Sequence, residues 1–182
     1  MAQAIAGVVS DREKEVTIMT VWPSIAATAY GRWWGRRYAN NVGITLFGVP
    51  VTIGRLLALV SIPFILPPYF HMLIPKLPFV VFGVHNPGCR RYRLTNRRLV
   101  VEQAFGGGEQ QSVSLDRFDS VTVDVSPGQE WFPAGDLVFH NGQVETFRIS
   151  GVPHPKSFRQ ACLNAHTGFV GVQEAREMGA AV

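Results

Sequence analysis

Acidic residues are missing where basic ones are densest. No Asp or Glu occurs from residue 85 through 98, yet Arg90, Arg91, Arg93, Arg97 and Arg98 crowd that interval. Lysine is scarce too: only Lys14, Lys76 and Lys156 stand among 17 basic residues. The positive charge is therefore mostly guanidinium, which suits interfacial anchoring and bidentate contact with phosphate or carboxylate. Cysteine is nearly absent. Cys89 and Cys162 have neither metal-ligand spacing nor a disulfide framework and read as free thiols. His71, His85, His140, His154 and His166 are scattered, without HxxH or HExxH spacing. There is no phosphate-cradling loop on a strand–helix unit and no nucleophile motif. The sequence thus assigns no catalytic residue, cofactor or metal ligand, and the chain reads as a non-enzyme. With no recognition helix, nucleic acid is not an expected partner. The first residues lack the basic-then-apolar order of a cleaved secretory signal.

What is present is a long apolar stretch. Leu56 to Pro75 reads LLALVSIPFILPPYFHMLIP. As a helix, twenty residues would rise about 30 Å, the thickness of a hydrocarbon core. Prolines at 63, 67, 68 and 75 predict a kinked or broken helix. A second apolar run, 77–84, and the arginines on both flanks favour an α-helical hairpin with both ends on the cytoplasmic side. One crossing and a buried soluble hairpin are the alternatives. Upstream, Trp22, Trp33 and Trp34 recur at roughly helical spacing beside Arg36 and Arg37, the composition of an interfacial amphipathic helix. Gly31 and Gly35 lie four apart and would permit close helix packing.

The pattern changes to period 2 after His85-Asn86-Pro87-Gly88. Candidate strands are 91–95, 98–103, 111–118, 120–125, 136–140 and 143–149, with Asn141-Gly142 as a tight hairpin turn. Phe158, Ala161, Cys162 and Ala165 then follow a helical period that Gly168 would end. The expected organisation is an N-terminal segment with an interfacial helix (1–41), a membrane-embedded region (42–84), a β domain (90–167) and a tail (168–182). The Trp131-Phe132-Pro133 loop carries two large rings between Gly128 and Gly135. Partner binding, membrane dipping and closure of the sheet end are its three readings.

Arg93-Leu94-Thr95-Asn96-Arg97-Arg98-Leu99, then Ser114-Leu115-Asp116-Arg117-Phe118, then Gly135 to Pro155 come in an order that resembles the bacterial pleckstrin-homology-like family of the membrane-flanked type. The resemblance covers about residues 92–166. It implies a mainly antiparallel bent sheet or small barrel capped by a C-terminal helix, and no enzyme. The connection from Phe105 to Gln111 holds three glycines and Glu109 but no basic residue, a departure from a phosphoinositide basket. The leading expectation is a membrane anchor plus this domain. It would be an accessory subunit of a larger complex in the bacterial inner membrane, respiratory or photosynthetic complexes being concrete candidates. Trp22, Trp33, Trp34, Arg36, Arg37, Arg90, Arg91 and Arg93 would contact lipid, and Arg97, Arg98, Trp131 and Phe132 a partner. The alternative is an anionic-lipid-binding or membrane-stress regulatory module without a fixed protein partner.

Overall fold

The computed structural model describes residues 15–40, 42–46, 49–73, 90–103 and 108–180. In chain order its elements are β1 (Thr17–Val21), a 3-10 turn (Ile25–Ala27), α1 (Ala29–Tyr38), β2 (Gly43–Leu46), β3 (Val49–Thr52) and α2 (Ile53–Leu73). There follow β4 (Arg90–Thr95), β5 (Arg98–Gln103), β6 (Glu109–Ser114), a second 3-10 turn (Leu115–Arg117), β7 (Ser120–Asp124), β8 (Ala134–Asn141), β9 (Val144–Pro153) and α3 (Pro155–Ala180). One antiparallel sheet has the order β1-β4-β5-β6 and a second the order β7-β8-β9; β2 and β3 form a separate hairpin.

Alternation along the strands builds the core. In β4, Tyr92 and Leu94 face inward, while Arg91 and Arg93 point to the other side. Leu99 and Val101 of β5 continue the inner face, and Phe118, Val121, Leu137, Phe139 and Ile149 answer from the second sheet. The turn from β4 to β5 is tightened by the Thr95 hydroxyl, which accepts from the Arg98 amide at 3.0 Å. Asn141-Gly142 turns between β8 and β9, with Gly142 at φ +61°, a conformation that favours glycine.

Pro155 opens α3, where a missing N–H costs no helical bond. Phe158 and Cys162 are fully buried against the sheets, with Ala161, Leu163, Ala165 and Phe169 packed beside them. The helix passes through Gly168 and continues to Ala180, beyond the stop that the glycine suggested. Glycine ends a helix well where the chain adopts positive φ, and Gly168 does not.

The apolar stretch forms a single helix, α2, and its upstream part is a β-hairpin, so the expected α-helical hairpin is not what these residues build. Among the described residues no helix is long and apolar enough to cross a membrane. α2 runs for 21 residues, Ile53–Leu73, and prolines at 63, 67 and 68 fall within it. That span carries Arg55 in its first turn, and Ser61 and Pro63 further on. The membrane anchor, and the accessory subunit and fixed inner-membrane placement that depended on it, are therefore withdrawn. The run 77–84, the turn 85–88, Cys89, the connection 105–107 and residues 1–14 lie outside the described residues.

Candidate functional site

The arginines of β4 and β5 are engaged with carboxylates. Antiparallel register sets Arg91 opposite Glu102, and Arg93 lies two residues along on the same face. Glu102, only 5% exposed, meets Arg91 Nε at 2.7 Å and Arg93 Nε at 3.0 Å. The second contact is an ion pair whose angle is not that of a hydrogen bond. Arg98 donates Nε to Glu15 at 2.9 Å and a terminal nitrogen to Glu109 at 2.9 Å. The Arg98 bond is the chief reason the Glu15 carboxyl is held below the usual carboxylate range. Arg91, Arg93 and Arg98 are thus matched by Glu15, Glu102 and Glu109 on one sheet. Arg90 has a buried Nε with no hydrogen-bond partner, and Arg97 is exposed at the turn.

The aromatic residues converge elsewhere. Thr28 caps α1 by accepting from the Gly31 amide at 3.0 Å, which fixes where the helix begins. One face of α1 then presents Gly31, Gly35 and Tyr38 inward. Gly35 lies directly on the backbone carbonyl of Gly128, closer than any side chain would allow. Gly128 itself has φ +95°, so the loop approaches α1 through two glycines. Tyr38 stacks on Trp34 at a centroid distance of 5.7 Å and meets Trp131 at 5.5 Å and Phe132 at 6.3 Å. Trp131 and Phe132 are half-buried in this cluster. The Tyr38 hydroxyl bonds to Ser61 of α2, and burial pushes its pKa up.

A buried polar network holds the loop in place. Fully buried Gln129 accepts from the Ser126 amide at 2.8 Å and donates to Asp136 at 2.6 Å. The same Asp136 oxygen accepts from the Gly151 amide at 2.9 Å. Each polar atom removed from water here is compensated, the condition under which such a network rigidifies a fold. The rings therefore join α1, α2 and the β sheets into one body.

The outer side of that body is basic and apolar. From residue 16 through 101 the chain contains no Asp or Glu, while Arg32, Arg36, Arg37 and Arg55 all fall on or beside α1 and α2. Arg36 donates to the Pro127 carbonyl at 3.1 Å, Arg32 to Ala27 at 3.0 Å and Arg55 to Pro50 at 2.7 Å. The Arg37 guanidinium lies 3.4 Å from the Trp33 ring centroid, a cation–π contact. These partners are neutral, and among the described residues no carboxylate pairs with these four arginines.

α2 packs along a narrow stripe of Gly54, Ala58, Ser61 and Ile65, small residues for the most part, with Gly54 against the Tyr38 carbonyl. The rest of its surface is open: Leu59 is 66%, Val60 67% and Phe64 64% exposed. Leu56, Ile62, Trp33 and Trp22 are also exposed. An exposed apolar surface of this extent along one helix marks an interaction site. Sequence reading placed Trp22, Trp33, Trp34, Arg36 and Arg37 at a lipid interface and took Leu56 to Pro75 as a separate, membrane-embedded stretch. The 86-residue absence of acid was the signal that could have joined them.

Among the described residues no group of His, Cys, Asp and Glu could hold a metal ion. Cys162 is buried, and burial pushes its thiol up to about 12. A shallow polar cleft of about 530 Å³ lies between β6 and β9, lined by Gln111, Ser112, Glu145, Thr146, Phe147 and Arg148. No curated protein matches the chain. The family model described as "Bacterial PH domain" matches residues 41–166, which takes in α2, strands β2 to β9 and the first part of α3. Two orthodox features of such a domain, paired antiparallel sheets and a C-terminal helix packed over them, are those described above. With more than two-thirds of its length matched, the chain belongs to the bacterial PH domain family.

Proposed function

We propose that the protein is a non-catalytic module that docks reversibly on anionic lipid surfaces, with α1 and α2 lying along the headgroup region. One observation carries the reading: α2 exposes leucine, valine and phenylalanine side chains, and the arginines of α1 and of the start of α2 have no acidic residue near them in sequence. Tryptophan and arginine beside an apolar surface suit the headgroup–acyl boundary, with rings and stems inward and guanidinium groups toward phosphate. The magnitudes are adequate. Fully burying one Leu, Val or Phe side chain contributes about 1.5–3 kcal/mol. Each arginine near an anionic leaflet adds about 1 kcal/mol. A few of each offset the loss of free tumbling and give measurable but reversible binding.

The test is co-sedimentation of the full chain with vesicles of phosphatidylcholine alone and of phosphatidylcholine with phosphatidylglycerol. Binding is expected on the anionic vesicles and is expected to weaken as salt rises, because exposed charges are screened within about 10 Å at 0.1 M salt. Arg36→Gln with Arg37→Gln should reduce binding, and Leu59→Asp, at an exposed position, should abolish it. Equal binding to neutral vesicles, or none to either, refutes the reading. A stoichiometric complex with a protein in place of lipid would assign the same face to a protein partner.

A further inference from the structure

α2 contains a backbone group that its own helix cannot satisfy. A helical carbonyl accepts from the N–H four residues on, or three residues on where the turn tightens to 3-10. Phe64 is followed at those two positions by Pro68 and Pro67, and neither has an N–H. Nowhere else in Ile53–Leu73 do both donors disappear, because Pro67-Pro68 is its one pair of adjacent prolines. The Phe64 carbonyl therefore needs a donor from outside those two positions.

Tyr30 of α1 supplies one. Its hydroxyl donates to the Phe64 carbonyl at 3.2 Å, across 34 residues of chain. Its ring meets Trp34 edge-on, at a centroid distance of 6.3 Å. The bond belongs to an antiparallel series between the end of α2 nearest α1 and α1 itself. The Gly54 amide donates to the Asn40 carbonyl at 3.2 Å, Tyr38 bonds to Ser61, and Tyr30 reaches Phe64. The Tyr38–Ser61 bond is buried, whereas the Tyr30 bond is open to solvent. Water can replace an exposed bond of this kind with little loss of stability. The side chains around it are apolar and open as well: Phe64 is 64% and Leu66 43% exposed.

We infer that Tyr30 is a positioning residue for lipid docking, its hydroxyl holding the carbonyl that Pro67 and Pro68 leave free so that the Phe64 turn of α2 can leave water. The inference rests on the docking proposed above. In the free protein the hydroxyl and water compete for the carbonyl on similar terms. Once the Phe64 side chain enters the acyl boundary, water withdraws, and a bare carbonyl there is costly. The Tyr30 bond thus contributes little to the free fold and much more to the docked state. That difference separates a positioning role from a structural one.

The experiment is a double-mutant cycle on the full chain, with Tyr30→Phe, Pro68→Ala and the two together. Each is read by co-sedimentation with vesicles of phosphatidylcholine and phosphatidylglycerol, and by urea unfolding. Tyr30→Phe removes the hydroxyl alone, and Pro68→Ala returns an N–H to the position that serves the Phe64 carbonyl. Tyr30→Phe should weaken vesicle binding about three- to tenfold, the range for one hydrogen bond, and leave the unfolding midpoint in place. In the Pro68→Ala chain the same change should leave binding as it was. Equal losses in both backgrounds overturn the inference, because the hydroxyl would then act on something other than this carbonyl. No loss in the parent chain overturns it too, as does a loss of binding matched by an equal loss of stability. A parent chain that binds no vesicle overturns the lipid docking itself, and this inference with it.

Discussion

Gly35→Ala and Gly168→Ala are the same chemical change on two helices, and the structure assigns them opposite signs. Helix propensity alone favours alanine over glycine by about 0.8–1.0 kcal/mol at either place. At Gly168 nothing lies within 4 Å of the added methyl, so the propensity gain stands alone. At Gly35 the methyl carbon would fall 1.9 Å from the Gly128 carbonyl oxygen and 3.0 Å from the Phe132 ring. The first obstacle is backbone and cannot rotate away. Relief requires moving the loop, and the loop is held by Gln129, Asp136 and the Gly151 amide. Overpacking of this kind costs about 1–3 kcal/mol, and here it falls at the unfavourable end. The net expectation for Gly35→Ala is a loss of about 2 kcal/mol, or roughly 4–8 °C in Tm for a chain of this size. For Gly168→Ala a rise of about 1–4 °C is expected on the same scale. Thermal and urea unfolding, followed by tryptophan fluorescence, reads both, since Trp34 and Trp131 sit in the cluster. A Gly35→Ala protein that melts at or above the parent would refute the docking of α1 on the 126–133 loop.

Two further outcomes follow from ionisation and burial. The Glu15 carboxyl is held below its ordinary value by Arg98. Its contribution is therefore complete above about pH 4.5 and is lost as pH falls through the lower folded value. Hydrogen exchange at amides 17–21, corrected for intrinsic rate, should lose protection between pH 6 and pH 3, and Glu15→Gln should be less protected already at pH 6. Unchanged protection across that range would show that the Glu15–Arg98 pair does not hold β1. In the Cys89→Ser protein, Cys162 should be inert to a thiol reagent at pH 8 until the chain unfolds, because burial keeps it protonated. Rapid labelling of the native protein would contradict its place on the buried face of α3.

What the sequence made legible is the part governed by neighbours in the chain. Alternation from Arg91 to Val101 and the Asn141-Gly142 turn are local signals, and the strands formed where those signals lie. β1 is different. Its residues precede a tryptophan-rich helix and gave no strand signal, because pairing with β4, more than seventy residues away, decides their conformation. The arginine cluster misled for the same reason. Its carboxylate partners arrive from the next strand and from Glu15, 83 residues from Arg98, so the positions looked uncompensated in one dimension. Gly35 was read as a site of close helix packing, and what lies closest to it is the Gly128 carbonyl and the Phe132 ring of the loop. The apolar stretch was legible as helix but not as anchor. Hydropathy reports what a segment avoids, not whether lipid or protein covers it, and the prolines and Arg55 did not separate those cases.

The distribution of charge gives the molecule a direction. Residues 16–101 hold ten basic residues and no acidic one, whereas residues 102–182 hold five basic and ten acidic. In the folded chain three of those ten, Arg91, Arg93 and Arg98, are paired on the β1-β4-β5-β6 sheet with Glu15, Glu102 and Glu109. On α1 and at the start of α2 the arginines, among the described residues, meet carbonyl oxygens and a tryptophan ring. In the docking proposed above, a field of this shape would turn α1 and α2 toward a negative surface before contact. Tyr38 would make that orientation consequential. It touches Trp34 on its own helix, Trp131 and Phe132 on the loop and Ser61 on α2, so α1, α2 and the β sheets are joined through one side chain. Loosening that joint with Tyr38→Ala would leave the arginines and leucines in place. It would remove the link by which a docked helix pair fixes how the sheets are presented.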